Sequence, residues 1–299
     1  MIDAAARSGA AEPARAAGVR SRGARLRLAR AGVHAALVAI AAVSLLPLAY
    51  MVSTSLKAEG LEYEVPIRWI PDPVVWRNYA EAFTSVPTLT FLRNTLVVTV
   101  LSILGELVTG SLAAYGFARL RFPGRDALFI VMLSTLMLPY FVTMIPLFVL
   151  FKTLGWTNTL LPLIVPSFFG GRPIAIFLMR QFFLTLPTEL DDAAKIDGAG
   201  FFGIWWSILL PLTRPALATV AILALVYHWN DFLAPLIYLN SNDNFTLALG
   251  IRLFRDQYRT FFNLTMAYAT MMTVPILTVF FLFQKYFIRG ISMTGLTGR

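Results

Sequence analysis

The side chains best equipped for chemistry are Tyr227, His228, Trp229, Asn230 and Asp231, a consecutive set of donors, acceptors and titratable groups inside an otherwise apolar run. An ionisable group at that depth in a bilayer costs roughly 2.5 to 3.5 kcal/mol on insertion scales, so it must face a water-filled path or a polar partner. Tyr227, Asn230 and Asp231 fall on adjoining positions of one helical face, with Ala234 a turn further. Aromatic rings beside hydrogen-bonding groups suit sugar recognition, in which apolar ring faces stack and hydroxyls need donors and acceptors. An interhelical hydrogen-bond cluster, or a subunit contact that never touches a solute, would use the same residues. Glu106 and Arg172 are the other charges within apolar runs; they fit a transport pathway, a helix-packing pair or, for Arg172, a snorkelling side chain. His34 stands at the end of the first apolar run and reads as interfacial.

A second chemically distinct stretch, residues 187–215, is a polar island between two long hydrophobic runs. Thr188 is placed to cap a helix beginning at Glu189, with Asp191 as the distal member of a capping box. Glu189, Asp191 and Asp192 put negative charge in the first turn, where the macrodipole favours it. Ala193 and Ala194 keep one face thin, and Asp197-Gly198 supplies the turn that stops the helix. Phe201, Ile204, Trp205 and Ile208 then repeat at helical spacing up to the breaker Pro211, so the local expectation is helix, turn, helix.

Several chemistries find no motif. There is no Gly-x-x-x-x-Gly-Lys-Ser/Thr phosphate loop, and two histidines far apart offer neither His-Glu-x-x-His nor, with no Gly-x-Ser-x-Gly, a nucleophile site. The expectation is a chain with no catalytic residues, no metal site and no cofactor of its own. No cysteine is present, which removes disulfides and thiolate ligands. With 58% hydrophobic and 14% charged residues and a mean hydropathy of +0.70, the chain reads as an integral membrane protein. Its net charge of +9 is read as arginines retained on the cytoplasmic face, not as a nucleic-acid site.

The elements that must position these residues are apolar runs of bilayer-spanning length. Residues 1–31, rich in Ala and Arg, are expected to form a mobile basic cytoplasmic tail, and 32–299 one membrane domain. Spans are expected at about 33–52, 92–117, 127–150, 160–182, 215–239 and 264–288, giving an all-α polytopic fold with six transmembrane helices and both termini inside. Pro139 and Pro146 should kink the third span, and Gly170-Gly171-Arg172-Pro173 should break the fourth. The segment 53–90 reads as an ordered external loop. The N-terminal arginines, Arg119, Arg121, Arg125, Lys195, Arg214, Lys285 and Arg289 fall on one side; Arg252, Arg255 and Arg259 fall on the other and fit the positive-inside rule worst.

The run Glu189-Leu190-x-Asp192-Ala193-Ala194-x-Ile196-Asp197-Gly198-Ala199, followed by Leu210-Pro211-Leu212 and Pro215, closely resembles the EAA loop of importer-type ABC transporter permeases. Where that family most often has Glu, this chain has Asp192. The Trp69-x-Pro71, Asn78-Tyr79 and Arg93-Asn94-Thr95 pieces and the Trp229-Asn230-Asp231-Phe232 run with Pro235 resemble the sugar-type branch, that of the maltose and glycerol-3-phosphate systems. The resemblance implies a coupling helix between spans four and five, with Glu189, Asp192, Ala193, Ala194, Asp197 and Gly198 contacting an ATPase subunit. It also implies Tyr227, His228, Asn230 and Asp231 as path candidates. The implied partners are a second homologous permease, two ATPase subunits carrying the ATP and Mg, an extracytoplasmic solute-binding protein and the lipid bilayer of a bacterial or archaeal cytoplasmic membrane. The competing class is an ion-coupled secondary transporter relaying charge through Glu106, His228 and Asp231; an intramembrane enzyme acting through His228 and Asp231 is the third.

Overall fold

In lipid every backbone N–H and C=O must be satisfied within its own segment, so long apolar runs become helices. The computed structural model describes the backbone of residues 11–255 and 260–294, and side chains within 30–255 and 260–284. Helix α1 (Ala11–Ser55) begins well before the first apolar run, through most of the stretch expected to be an unstructured tail. Its Ala- and Arg-rich composition is itself strongly helix-favouring. The side chains of Arg7, Arg15, Arg20, Arg22, Arg25, Arg27, Arg259, Lys285 and Arg289, all counted for topology above, lie outside the described residues.

Residues 56–87 carry a short 3-10 turn (Leu61–Tyr63) and α2 (Arg77–Thr84). They are ordered, as expected: Asn78 Nδ2 donates to the Ser55 and Lys57 carbonyls, both at 2.8 Å. Helix α3 (Thr88–Arg119) has 32 residues. At about 1.5 Å per residue it is roughly 48 Å long, enough to cross a hydrocarbon core of about 30 Å and reach past it at both ends.

Helices α4 (Arg125–Ser134, extended by a 3-10 turn Thr135–Met137) and α5 (Tyr140–Thr153) meet at a 98° bend. Pro139 marks the break, since the residue before a proline is driven out of the helical region, whereas Pro146 is absorbed inside a continuous helix. Helix α6 (Leu161–Ile164) and a 3-10 turn (Val165–Phe168) stop at Gly170 and Gly171, whose φ values are +91° and +63°, and α7 (Pro173–Thr185) restarts at the proline. The break expected in the fourth span is therefore present.

Next come α8 (Glu189–Ile196), α9 (Phe201–Gly203), a π-helical turn (Ile204–Leu209) and α10 (Leu210–Leu212). The expected regular helix up to Pro211 is widened instead. Proline clashes with the carbonyl four residues back, and the π turn precedes it directly, burying Leu209 where Ile208 was expected. Helix α11 (Arg214–Trp229) leaves at 82° to the preceding segment. The fifth span is not continuous to Leu239: it breaks after Trp229 and resumes as α12 (Leu233–Tyr238). Helices α13 (Leu247–Gly250) and α14 (Phe262–Thr294) complete the chain.

Among the described residues four helices are long and apolar enough to cross a membrane, and the two bent pairs raise the number to six if each is one span. Two apolar clusters hold the helices together. One, at the end formed by α2, α12 and α13, includes Phe91, Phe151, Trp229, Tyr238 and Tyr268; the other, at the end formed by α7 and α8, includes Tyr115, Met179, Phe183, Ile204 and Leu209. Large apolar side chains on α1, α5 and α14, such as Val38, Phe141 and Phe281, point outward, as an oily solvent permits.

Candidate functional site

Between the two apolar clusters, midway along α3, lies a charged node. Glu106, 1% exposed, accepts from Arg172 Nε at 3.0 Å and Nη2 at 3.2 Å, a two-point guanidinium–carboxylate fork. The Glu106 Oε1 atom also lies 2.9 Å from His228 Nε2. Arg172 in turn lies over the Tyr227 ring, its Cζ 4.4 Å from the centroid. Three elements, α3, the break before α7, and α11, thus converge on one carboxylate.

The glycines make that approach possible. A β-carbon on Gly171 would sit 2.8 Å from Glu106 Cγ and 3.1 Å from its Cα, closer than the backbone of α3 allows. The break is fastened further along α3 by Thr109, whose Oγ1 accepts the Gly170 N–H at 3.2 Å.

The node forms one wall of a cavity of about 200 Å³. Tyr140, Tyr227 and Tyr238 line it with Asp231, whose Oδ1 accepts the Ala234 N–H at 3.3 Å and so opens α12. Of the four path candidates, Tyr227, His228 and Asp231 reach this cavity and Asn230 does not. Helix α11 ends at Trp229, so the helical-face count fails at the next residue: Asn230 is exposed and its amide turns back to donate to the Val226 carbonyl at 2.8 Å. Trp229 is buried on the other side, donating to the Met272 carbonyl of α14 at 3.1 Å.

At one end of the bundle α8 presents the second candidate surface. Thr188 makes no side-chain cap, so the expected capping box is not formed. Asp191 turns inward instead, with its Oδ2 3.4 Å from Arg119 Nε at the end of α3. That separation is an ion pair and not a hydrogen bond; Arg119 Nη2 makes the hydrogen bonds, donating to the Phe183 and Leu186 carbonyls at 2.8 Å each. Arg119, expected only as a topological charge, is thus a buried clamp joining α3, the end of α7 and α8.

Helix α8 ends as the sequence predicts. Gly198 has φ +83°, its N–H bonds the Lys195 carbonyl, and the Ala199 N–H bonds the Ala194 carbonyl, the two bonds of a Schellman cap. Ala194 is buried against the body, whereas Glu189, Asp192, Ala193, Asp197 and Gly198 are exposed. The apolar Ile196 stands 87% exposed, and Phe201 and Phe202 are exposed as well. Asp192 pairs with Lys195 at 3.2 Å, a contact between exposed charges that contributes little.

Residues 106–293 match the family described as binding-protein-dependent transport system inner membrane component. The chain belongs to this family. The permease is 35% identical over 262 residues to an arabinooligosaccharides transport system permease protein of Halalkalibacterium halodurans, a match covering 87% of this chain and 93% of that one. It is 32% identical to the melibiose/raffinose/stachyose import permease protein of Bacillus subtilis, over 87% of this chain and 94% of the other. A crystal structure of a bacterial ABC transporter involved in the import of the acidic polysaccharide alginate shares the fold, with a TM-score of 0.74 and 23% identity over 85% of this chain and 95% of that one.

Two sets of residues fasten the permease's 240s segment, one within the Arg93-Asn94-Thr95 piece and one that no motif marks. Asn94 Nδ2 donates to the Asp243 and Phe245 carbonyls at 2.8 and 3.0 Å, and Thr95 Oγ1 accepts the Leu247 N–H at 2.8 Å, fastening the 240s segment to α3. Asn158, at φ +58°, accepts the Asn240 and Ser241 N–H groups on its Oδ1, both at 2.9 Å. For Asn158 the one available signal was residue type: Asn tolerates the left-handed region and satisfies turn backbone.

Proposed function

We propose that this chain is the membrane-spanning permease subunit of an ATP-driven ABC importer, forming half of the translocation path for a carbohydrate or sugar-like solute. In this reading residues 32–299 form a six-span permease domain behind a basic tail, 1–31, with both termini cytoplasmic in a bacterial or archaeal inner membrane. A second homologous permease supplies the other half of the path, two ATPase subunits bind ATP and Mg, and an extracytoplasmic binding protein delivers the solute. The carbohydrate assignment is supported by what the relatives' names say they carry.

The observation that carries this reading is the Arg119–Asp191 clamp. It ties α8 to the end of α3, whose middle bears Glu106 at the cavity wall. A push on α8 is therefore delivered to α3 directly and to the Gly170-Gly171 break through α7. The exposed face of α8, with Glu189, Asp192, Ala193, Asp197, Gly198 and Ile196, is the contact for the ATPase, where Ala193 permits close approach and the acids meet basic groups. Ala194 packs the helix onto the body, and Tyr227, His228 and Asp231 face the solute path.

One observation favours an ion-coupled alternative, the contact of Glu106 with His228, a pair able to exchange a proton. A single experiment separates the two. Replacing Ala193 with Trp should leave the protein inserted but abolish ATPase assembly and ATP-driven uptake in reconstituted vesicles. Undiminished uptake by Ala193→Trp would sink the coupling assignment, and uptake that follows an imposed ion gradient without ATP would establish the alternative.

A further inference from the structure

The charges around the cavity select among sugars. We infer that it receives an uncharged sugar ring and turns away anionic sugars such as uronates; this rests on the reading of the cavity as part of the solute path. Arg172 is the guanidinium in its wall, and that charge is matched on the spot: Nε and Nη2 are both committed to Glu106, and its Cζ lies over the Tyr227 ring. Asp231 has the Ala234 N–H on one oxygen, and among the described residues no Lys or Arg lies within ion-pair distance of it. With His228 neutral the wall holds two carboxylates against one cation, and with His228 protonated two against two. In neither state is there positive charge to spare.

A sugar acid entering here brings a third carboxylate to a site partly removed from water and finds no free cation to meet it, an arrangement that rejects a ligand by repulsion. A neutral ring meets complementary groups instead. Its hydroxyls donate to the Asp231 carboxylate, and its apolar face lies against the tyrosines, whose hydroxyls at positions 140 and 238 stand 3.5 Å apart and offer further donors and acceptors. At about 200 Å³ the space is below the roughly 300–1,000 Å³ of an ordinary ligand pocket, so it accommodates one ring of a longer chain at a time.

The test is equilibrium binding of a neutral trisaccharide, raffinose, and an anionic one, trigalacturonate. The complete assembly of this chain, its partner permease and the ATPase subunits is held in lipid nanodiscs, and the external binding protein is omitted so that its own selectivity does not enter. Raffinose should bind and trigalacturonate should bind at least about tenfold more weakly. Asp231→Asn should narrow that gap while leaving the melting temperature of the assembly unchanged, because the amide oxygen still accepts the Ala234 N–H. Should the Asn variant not assemble, Asp231→Ser retains an oxygen for the same bond and takes its place. Equal or tighter binding of trigalacturonate, or a gap untouched by the variant, overturns the choice of neutral sugars and leaves the path reading standing. Failure of raffinose and of maltotriose, melibiose and arabinotriose alike to bind removes the path reading, and the choice of sugar with it.

Discussion

Glu106 is almost wholly enclosed yet serves two partners from different elements, so its neighbours depend on it more than it depends on them. A buried ion pair contributes little net stability against an apolar pair of the same shape, whereas removing one partner leaves an uncompensated charge and costs about 3 to 5 kcal/mol. Glu106→Ala should therefore lower the stability of the solubilised protein by about 3 kcal/mol, because Arg172 and His228 lose their shared acceptor. The double change Glu106→Leu with Arg172→Met should recover most of that loss. Denaturant melts of the three proteins check both statements. A node kept for function and not for stability predicts that the double variant, though refolded, does not transport. Equal stability of Glu106→Ala and the parent would mean that the fork is not made.

At the scale of elements, α8 is a short helix whose ends are set by single residues. Gly198 occupies the left-handed position of its C-terminal cap, and no other atom of this chain crowds it, so within the chain backbone conformation alone restricts what stands there. Asn tolerates that conformation and a β-branched side chain does not, at a cost of about 1 to 2 kcal/mol. Gly198→Asn should keep ATPase assembly near the parent level, and Gly198→Val should reduce it several-fold, as measured by co-purification of the ATPase with the permease. The glycine needed there was legible in advance from Asp197-Gly198, as was the broken fourth span from Gly170-Gly171-Arg172-Pro173, because both are local backbone requirements. The Arg119–Asp191 clamp was not legible, and for the Glu106–Arg172–His228 node a helix-packing pair was one of several readings the sequence left open. Their members are far apart in sequence, and a charge in a span or a loop reads the same whether or not its partner folds against it. Asn230 differs from its neighbours for a local reason: it stands one residue past the end of α11, so a count along a continuous helix does not place it.

For the whole molecule, the two ends of the bundle differ in kind. One is closed by backbone-directed amides from Asn78, Asn94 and Asn158; the other holds Arg119, Arg121, Arg125 and Lys195 around a cavity of about 910 Å³ beside α8. The permease reading proposed above puts the α8 end, with this basic cluster, inside and the α2 end outside. Lys57, Arg68, Arg77, Arg93, Lys152, Arg252 and Arg255 stand at the α2 end and weigh against a count of basic residues, so labelling decides the orientation. The absence of cysteine from the sequence makes the orientation directly measurable, since any introduced thiol is the only one present. Ser85→Cys, at the exposed end of α2, should react with a membrane-impermeant maleimide added to intact spheroplasts. Thr188→Cys, exposed at the start of α8, should be shielded there and react only in inverted vesicles or after permeabilisation. Labelling of both from the same side would require an even number of crossings between α2 and α8, where the six-span topology has three, and would overturn it. The reverse pattern would place α8 outside, where no cytoplasmic ATPase reaches it.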